Sequence, residues 1–233
     1  MLREFIAVGI KFGDRKNTVN FNKTLIEKLE NYLVSQLEQK DFIHKRVFAT
    51  GENTSFKSDY YTGEALFPLM LSERRFPEVQ ASLESLMFKD YGIPQQSHWM
   101  AYAACSALAK RYCDEIRICI YIERLIRSIL SDTSYRERHE STPIACRSEA
   151  LAEFLLTCRR VSYARAYFSA EFQHAARNAL AENLARQLEF YGAGQFRKGR
   201  ESDKVQIDYI QHNGAAFLGW WELLAAPSSP GER

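Results

Sequence analysis

The chain has no surplus of charge of either sign. Lys and Arg number 31 against 29 Asp and Glu, for a formal net charge of +2. So balanced a surface makes no large field for steering toward nucleic acid. The basic run Arg197 to Arg200 is too short to supply one. No apolar stretch approaches the length of a membrane-spanning helix, about 18 residues or more. No two cysteines are spaced Cys-x-x-Cys. The five present, Cys105, Cys113, Cys119, Cys146 and Cys158, sit mostly in apolar runs, and five is an odd number. Buried, reduced thiols and a cytoplasmic location are therefore expected, with no disulfide framework and no metal site. No Gly-x-Gly-x-x-Gly follows a strand-like run, so no cofactor is expected either. The opening MLREFIAVGIKF is apolar but is interrupted by Lys11 and lacks a clear cleavage site. It reads as a strand or as a remnant of a longer parent, not as a secretory signal.

What is present is hydrophobic patterning of helical period. With 233 residues, 46% of them hydrophobic, the chain is long enough for one full core. Apolar residues recur at helical spacing from about Asn20 to Leu37, through Leu25, Ile26, Leu29 and Leu33. Thr62 is placed to cap a second helix, with Pro68 expected to kink it. Pro77 opens a third. Ser97 and Asp114 are placed to cap two more, and Thr142 and Pro143 open another that runs to about Cys158. A single long helix is expected over Ser162 to Phe190, and a last one over Val205 to Leu224. The pattern predicts an all-α chain of antiparallel hairpins. The segmentation expected is an N-terminal extension over 1–19, one helical domain over 20–226 and a tail over 227–233.

Four of these helices begin alike. DYYTGEAL (Asp59 to Leu66), QSHWMAYA (Gln96 to Ala103), STPIACRSEAL (Ser141 to Leu151) and VQIDYIQHNGAA (Val205 to Ala216) each set acids, imidazoles or a guanidinium beside aromatic or small residues. Hairpins arranged about an axis would bring these starts to one rim. That rim would hold Asp59, Glu64, His98, Arg147, Glu149, Asp208 and His212, with Tyr60, Tyr61, Trp99 and Tyr209 available to stack on sugar rings. Free N–H groups at helix starts favour anionic or polar ligands there. Each feature also has a plainer reading. Glu64 suits the first turn of any helix, and His98 suits a bond to a neighbouring carboxylate. Arg147 and Glu149, two apart, do not share a face and need separate partners. Asp208 and His212, four apart, do share one, as an oriented general base or as a structural hydrogen bond. Gly214 and Gly219 suit close helix packing.

The segment DYYTGEALFPLM resembles the Tyr-Tyr-x-Gly-Glu-Ala-Leu segments of α/α-toroid proteins, and QSHWMAYA, STPIACRSEAL and QIDYIQHNGAAFLGWWEL look like later helix starts of the same kind of protein. The resemblance runs from Asp59 to Leu224 and implies an (α/α) toroid of helical hairpins. A closed ring usually takes six hairpins, so an open ring, or the C-terminal part of a longer protein, is the expectation. Toroids include glycoside hydrolases, polysaccharide lyases, sugar epimerases and lanthionine cyclases. The zinc cluster of the cyclases finds no matching Cys-His pair in this sequence. The sugar-active members imply a hydrolase, lyase or epimerase with catalytic residues among Glu64, Glu149, Asp208 and His212. In that scheme Glu64 or Glu149 is the acid, Asp208 with His212 the base, and Arg147 the holder of an anionic group. Ligand-binding residues would be Asp59, Tyr60, Tyr61, His98, Trp99, Arg147 and Tyr209. The alternative is a non-catalytic toroid module that binds a glycan, a peptide or a partner protein. The expected partners are a carbohydrate or another polar small ligand and, for an open ring, a second copy of the chain or an adjoining domain. Nucleic acid and membrane are not among them.

Overall fold

The computed structural model describes residues 15–225 except 48, 73 and 75. The expected strand in FIAVGIKF and the tail over 227–233 lie outside the described residues. Helices dominate the rest: α1 (Arg15–Ser35), α2 (Tyr61–Leu71), α3 (Pro77–Phe88), α4 (His98–Ala109), α5 (Glu115–Ser131), α6 (Ser141–Arg160), α7 (Ser162–Tyr167), α8 (Ala170–Gln187) and α9 (Ile207–Ala225). Among the described residues the strands are pairs of two residues each, in antiparallel hairpins. One pairs Leu37 with Phe42 and the other Tyr191 with Phe196.

The helix starts follow local chemistry. Ser97 caps α4 by accepting from the Met100 N–H at 3.3 Å, and Asp114 caps α5 by accepting from Arg117 at 2.9 Å. Helix α2 differs from expectation. It begins at Tyr61 with no side-chain cap, and Thr62 is buried inside it, bonded to loop residues. It also runs through Pro68 to Leu71. The long helix expected over Ser162 to Phe190 is two helices. The break falls at Phe168 and Ser169, where the Ser169 hydroxyl caps α8 by accepting from Phe172 N–H. Both Phe168 and Phe172 turn inward there and pack edge-on against Phe154. Their burial keeps the apolar pattern continuous across the break.

The helices pack in hairpins. On α5, Ile118, Ile122, Leu125 and Ile129 share one buried stripe, the spacing of an amphipathic helix against a core. Gln96, before α4, donates to the carbonyls of Ser128 and Asp132 at the end of α5, so α4 and α5 run antiparallel. Gln187 near the end of α8 donates to Ser148 near the start of α6, and Phe172 near the start of α8 meets Phe154 further along α6. That pair is antiparallel too. Helices α2, α4, α6 and α9, by contrast, lie side by side in that order and in one direction. Gly63 meets Trp99 while Lys110 reaches the carbonyls of Leu71 and Ser72, fixing α2 and α4 parallel. Tyr102 reaches Glu149, and further along Cys105 meets Thr157, which orients α4 with α6. His212 meets Glu149, Gly219 meets Ala152, and Arg159 reaches the carbonyls of Glu222 and Leu223, which orients α6 with α9. The N-terminal ends of four inner helices therefore share one side of the molecule.

Close approach sets this row. A Cβ on Gly63 would stand 2.8 Å from the Trp99 Cβ, and one on Gly219 would stand 2.8 Å from the Ala152 Cβ. Only hydrogen at these positions lets the helices pack as they do. Gly214, read from sequence as another packing glycine, faces open space. Helix α6 is the centre of the packing and is buried along nearly its whole length. Polar groups on it need partners inside the protein, because unpaired polar groups are costly to bury.

Candidate functional site

The site forms where the four inner helices begin. On α6, Cys146 and Glu149 are three apart and share a face. On α4, His98 is the first residue and Tyr102 follows one turn later. On α9, Asp208 and His212 are four apart. These faces meet. The His212 Nδ1–H donates to Glu149 Oε1 at 2.6 Å, and the Tyr102 hydroxyl donates to Glu149 Oε2 at 2.7 Å. Asp208 Oδ1 stands 3.1 Å from the other ring nitrogen of His212, Nε2. The Cys146 Sγ lies within 4.8 Å of a His212 ring nitrogen. The His98 and His212 rings meet edge to face with centroids 5.0 Å apart.

Burial is nearly complete. His98, Cys146, Glu149 and His212 are 2, 3, 4 and 6% exposed. Burial pushes the Glu149 carboxyl above its ordinary value, against the pull of His212 and Tyr102. It opposes charge on His212 as well, but the contacts with Cys146 and Glu149 outweigh it, and the imidazole is pushed up to about 11. One proton is thus held between Glu149 and His212, on the imidazole side. Burial raises the Cys146 thiol and holds His98 well below the ordinary histidine range, where the neighbouring His212 and Arg147 also push it. His98 is therefore neutral, and its Nε2 is buried with no hydrogen-bond partner among the described residues. Leaving such a group unsatisfied costs about 1–3 kcal/mol.

Toward the surface, the site is bounded by Glu64, Asp208, Tyr60 and Trp99. Glu64 reaches solvent, yet the protein around its carboxyl raises its pKa. His212 works against that rise and Asp208 adds to it. Tyr60 is half exposed, with its ring 6.5 Å from that of His98. The Trp99 ring lies 4.9 Å from His98 and 6.4 Å from His212.

Of the residues singled out in the sequence, the structure brings Glu64, His98, Trp99, Glu149, Asp208, His212 and Tyr60 together. The others face elsewhere. The Arg147 guanidinium donates to Gln96 Oε1 at 3.0 Å and to the Gln95 carbonyl at 2.8 Å, fastening the loop before α4 to α6. Tyr61 packs against His44 and Phe56 in the loop ahead of α2. Tyr209 is buried on α9, and Asp59 is exposed in the turn before α2. Sequence reasoning missed Cys146 and Tyr102. The three-residue step from Cys146 to Glu149 is the only local trace of the first. Tyr102, one turn beyond His98 on the same face, was the comparable trace of the second.

No family model, curated protein or solved structure matches the chain. Among the described residues no helix is long and apolar enough to cross a membrane.

Proposed function

We propose that the chain is a carbohydrate-active enzyme of the α/α-toroid kind, a hydrolase, lyase or epimerase. The observation that carries this reading is the chain of contacts Asp208–His212–Glu149 at the common start of the parallel helices, with Glu64 near enough to feel the charges of Asp208 and His212 and with the aromatic rings of Tyr60 and Trp99 alongside. Acid and base work needs two groups whose environments push them apart. Glu64, whose carboxyl is raised by the protein around it, serves as the acid that protonates a leaving oxygen. Asp208, half exposed and 3.1 Å from His212 Nε2, serves as the base. Glu149 stands behind His212 and holds it, and does not itself meet the substrate. This differs from a scheme with His212 as the base, because an imidazole that already carries its proton is not free to take one.

Recognition without turnover is a second reading. It is favoured by the fact that Glu149 and Asp208 are both engaged by His212. A screen against neutral and uronate-containing oligosaccharides separates the two. Reducing ends, unsaturated uronates or deuterium uptake at a sugar carbon would each report turnover. Glu64→Gln is expected to lower that rate by about 10²–10⁴-fold, the usual contribution of a positioned acid, with the helical spectrum unchanged. Binding of an oligosaccharide with no turnover would establish the recognition reading. A Glu64→Gln rate equal to the parent's would remove the role assigned to Glu64.

A further inference from the structure

The carbohydrate reading uses Glu64 and Asp208, with His212 and Glu149 behind them, and gives His98 and Cys146 no role. His98, Cys146, Glu149 and His212 come from three helices and offer ligand atoms that all lie within 4.8 Å of one another. They form a buried set of two imidazoles, a thiol and a carboxylate. Packing needs no such set, and an apolar core would fill the same space at lower cost. Among the described residues the His98 Nε2 in it has no hydrogen-bond partner.

We propose that this cluster binds a zinc ion, through His98 Nε2, Cys146 Sγ, a Glu149 oxygen and His212 Nδ1. The donor types suit Zn²⁺. Thiolate and imidazole are its usual ligands, a carboxylate completes four, and the harder Mg²⁺ and Ca²⁺ favour all-oxygen sites. The space suits it with a small contraction. Zinc bonds of about 2.0–2.3 Å place tetrahedral ligands about 3.5 Å apart, and the present atoms need only close in from their widest separation. The surroundings suit it as well. A metal-ligating histidine ordinarily gives its other ring nitrogen to a carboxylate, which fixes the tautomer. Asp208 is in that place on His212 Nε2. The free oxygen of Glu149 is held by the Tyr102 hydroxyl in the same way. Zinc would take the place of the His212 Nδ1 hydrogen that now points to Glu149 Oε1. Cys146 would lose its thiol proton to solvent as the thiolate binds, and no electrons move. The expectation from Cys spacing alone was of no metal. That spacing cannot register ligands drawn from separate helices.

The inference concerns the same region as the carbohydrate reading but does not need it, since its test reads binding alone. The full chain, stripped with a chelator, is dialysed against Zn²⁺ and its metal content measured. A parallel sample is titrated with Co²⁺ and followed in the visible and near ultraviolet. One zinc per chain is expected, together with the intense bands of a tetrahedral cobalt and a thiolate-to-cobalt charge-transfer band. Cys146→Ser should remove that last band, and both Cys146→Ser and His98→Asn should weaken Zn²⁺ by at least about 100-fold. Cys113→Ser, away from the site, should bind as the parent does. Failure to retain a stoichiometric ion, a weak octahedral cobalt spectrum with no sulfur band, or full affinity in both variants would overturn the inference. The cobalt spectrum of the unaltered chain decides even if a variant misfolds. Zinc bound with no sugar turned over would leave this inference standing and remove only the enzymatic reading.

Discussion

At the level of single residues, Thr62 shows how a plausible local reading gives way to a distant partner. Its hydroxyl donates to Asp41 Oδ1 at 2.7 Å. The Ser58 N–H donates to His44 Nδ1 at 2.8 Å, so the His44 hydrogen is on Nε2, which donates to Thr62 Oγ1 at 2.9 Å. This relay ties the loop ahead of α2 to its first turn, and it requires a neutral His44. Partial burial and the Lys57 charge hold His44 below its ordinary value, with Asp41 opposing. Burial resists the charge on Asp41, but bonds from Lys57, Thr62 and the Phe42 N–H outweigh it and lower its pKa. Both groups therefore bind protons more weakly folded than unfolded. Their stabilisation is complete above the unfolded values and is lost as pH falls, from about 6.5 downward for His44 and from about 4 for Asp41. Between pH 6.5 and pH 5 the urea midpoints of the parent should carry a His44 decline on top of the titrations that it shares with its variants. The decline should be smaller in His44→Gln, whose amide can accept from Ser58 and donate to Thr62 without titrating. Coincident slopes would show that the relay does not govern the loop. The residues of the candidate site were legible to differing degrees for the same reason. Asp208 and His212 lie within one turn, so their spacing announces the pair. Glu149 lies 63 positions from His212, and only the recurring helix starts hinted that the two would meet.

At the level of elements, the chain showed its helices well because apolar residues at helical spacing state a period directly. It showed their ends less well. The stop at Phe168 was hidden because Phe168 and Phe172 are both buried, and a change of direction between two buried aromatics leaves the pattern unbroken. Glycines were the most ambiguous signals, since the letter does not say what faces the missing Cβ. The structure separates them, and the separation can be measured. Gly63→Ala sets a methyl 2.8 Å from the Trp99 Cβ and 3.0 Å from the Met100 backbone nitrogen, neither of which can move without moving α4. It should destabilise the protein by about 1–3 kcal/mol, as overpacking does, and should shift Glu64 relative to His98. Gly214→Ala meets nothing within 4 Å and sits inside α9. It should stabilise by up to about 1 kcal/mol through helix propensity. Urea unfolding of both variants is the check. Equal effects of one sign would mean that the close approach of α2 and α4 does not hold the row together.

At the level of the whole molecule, the four alike helix starts pointed to the parallel row of α2, α4, α6 and α9, because hairpins laid side by side bring alternate starts to one side even where two helices, α7 and α8, stand in for one. Closure of that row into a ring depends on contacts between distant helices, and no local pattern records it. The five cysteines offer a test of whether the hairpins behave as one body. All are free and buried. Cys105 of α4 lies near Thr157 of α6, and Cys119 of α5 lies near Cys158 of α6, so three of them report on the seams between hairpins. Burial pushes Cys119 and Cys158 up to about 12, and Cys105 well up, which leaves little thiolate to react in the folded chain. Labelling must then await opening. Site-resolved labelling in rising urea should show Cys105, Cys119 and Cys158 reacting together along the global unfolding curve. Cys113, at the edge of the core and 9% exposed, should react earlier. The unfolded chain should return all five thiols without reductant. If Cys105 reacted at low urea while Cys158 remained protected, the seam between α4 and α6 would open on its own. The Tyr102 to Glu149 bond that crosses it would then be too weak to keep the candidate site assembled.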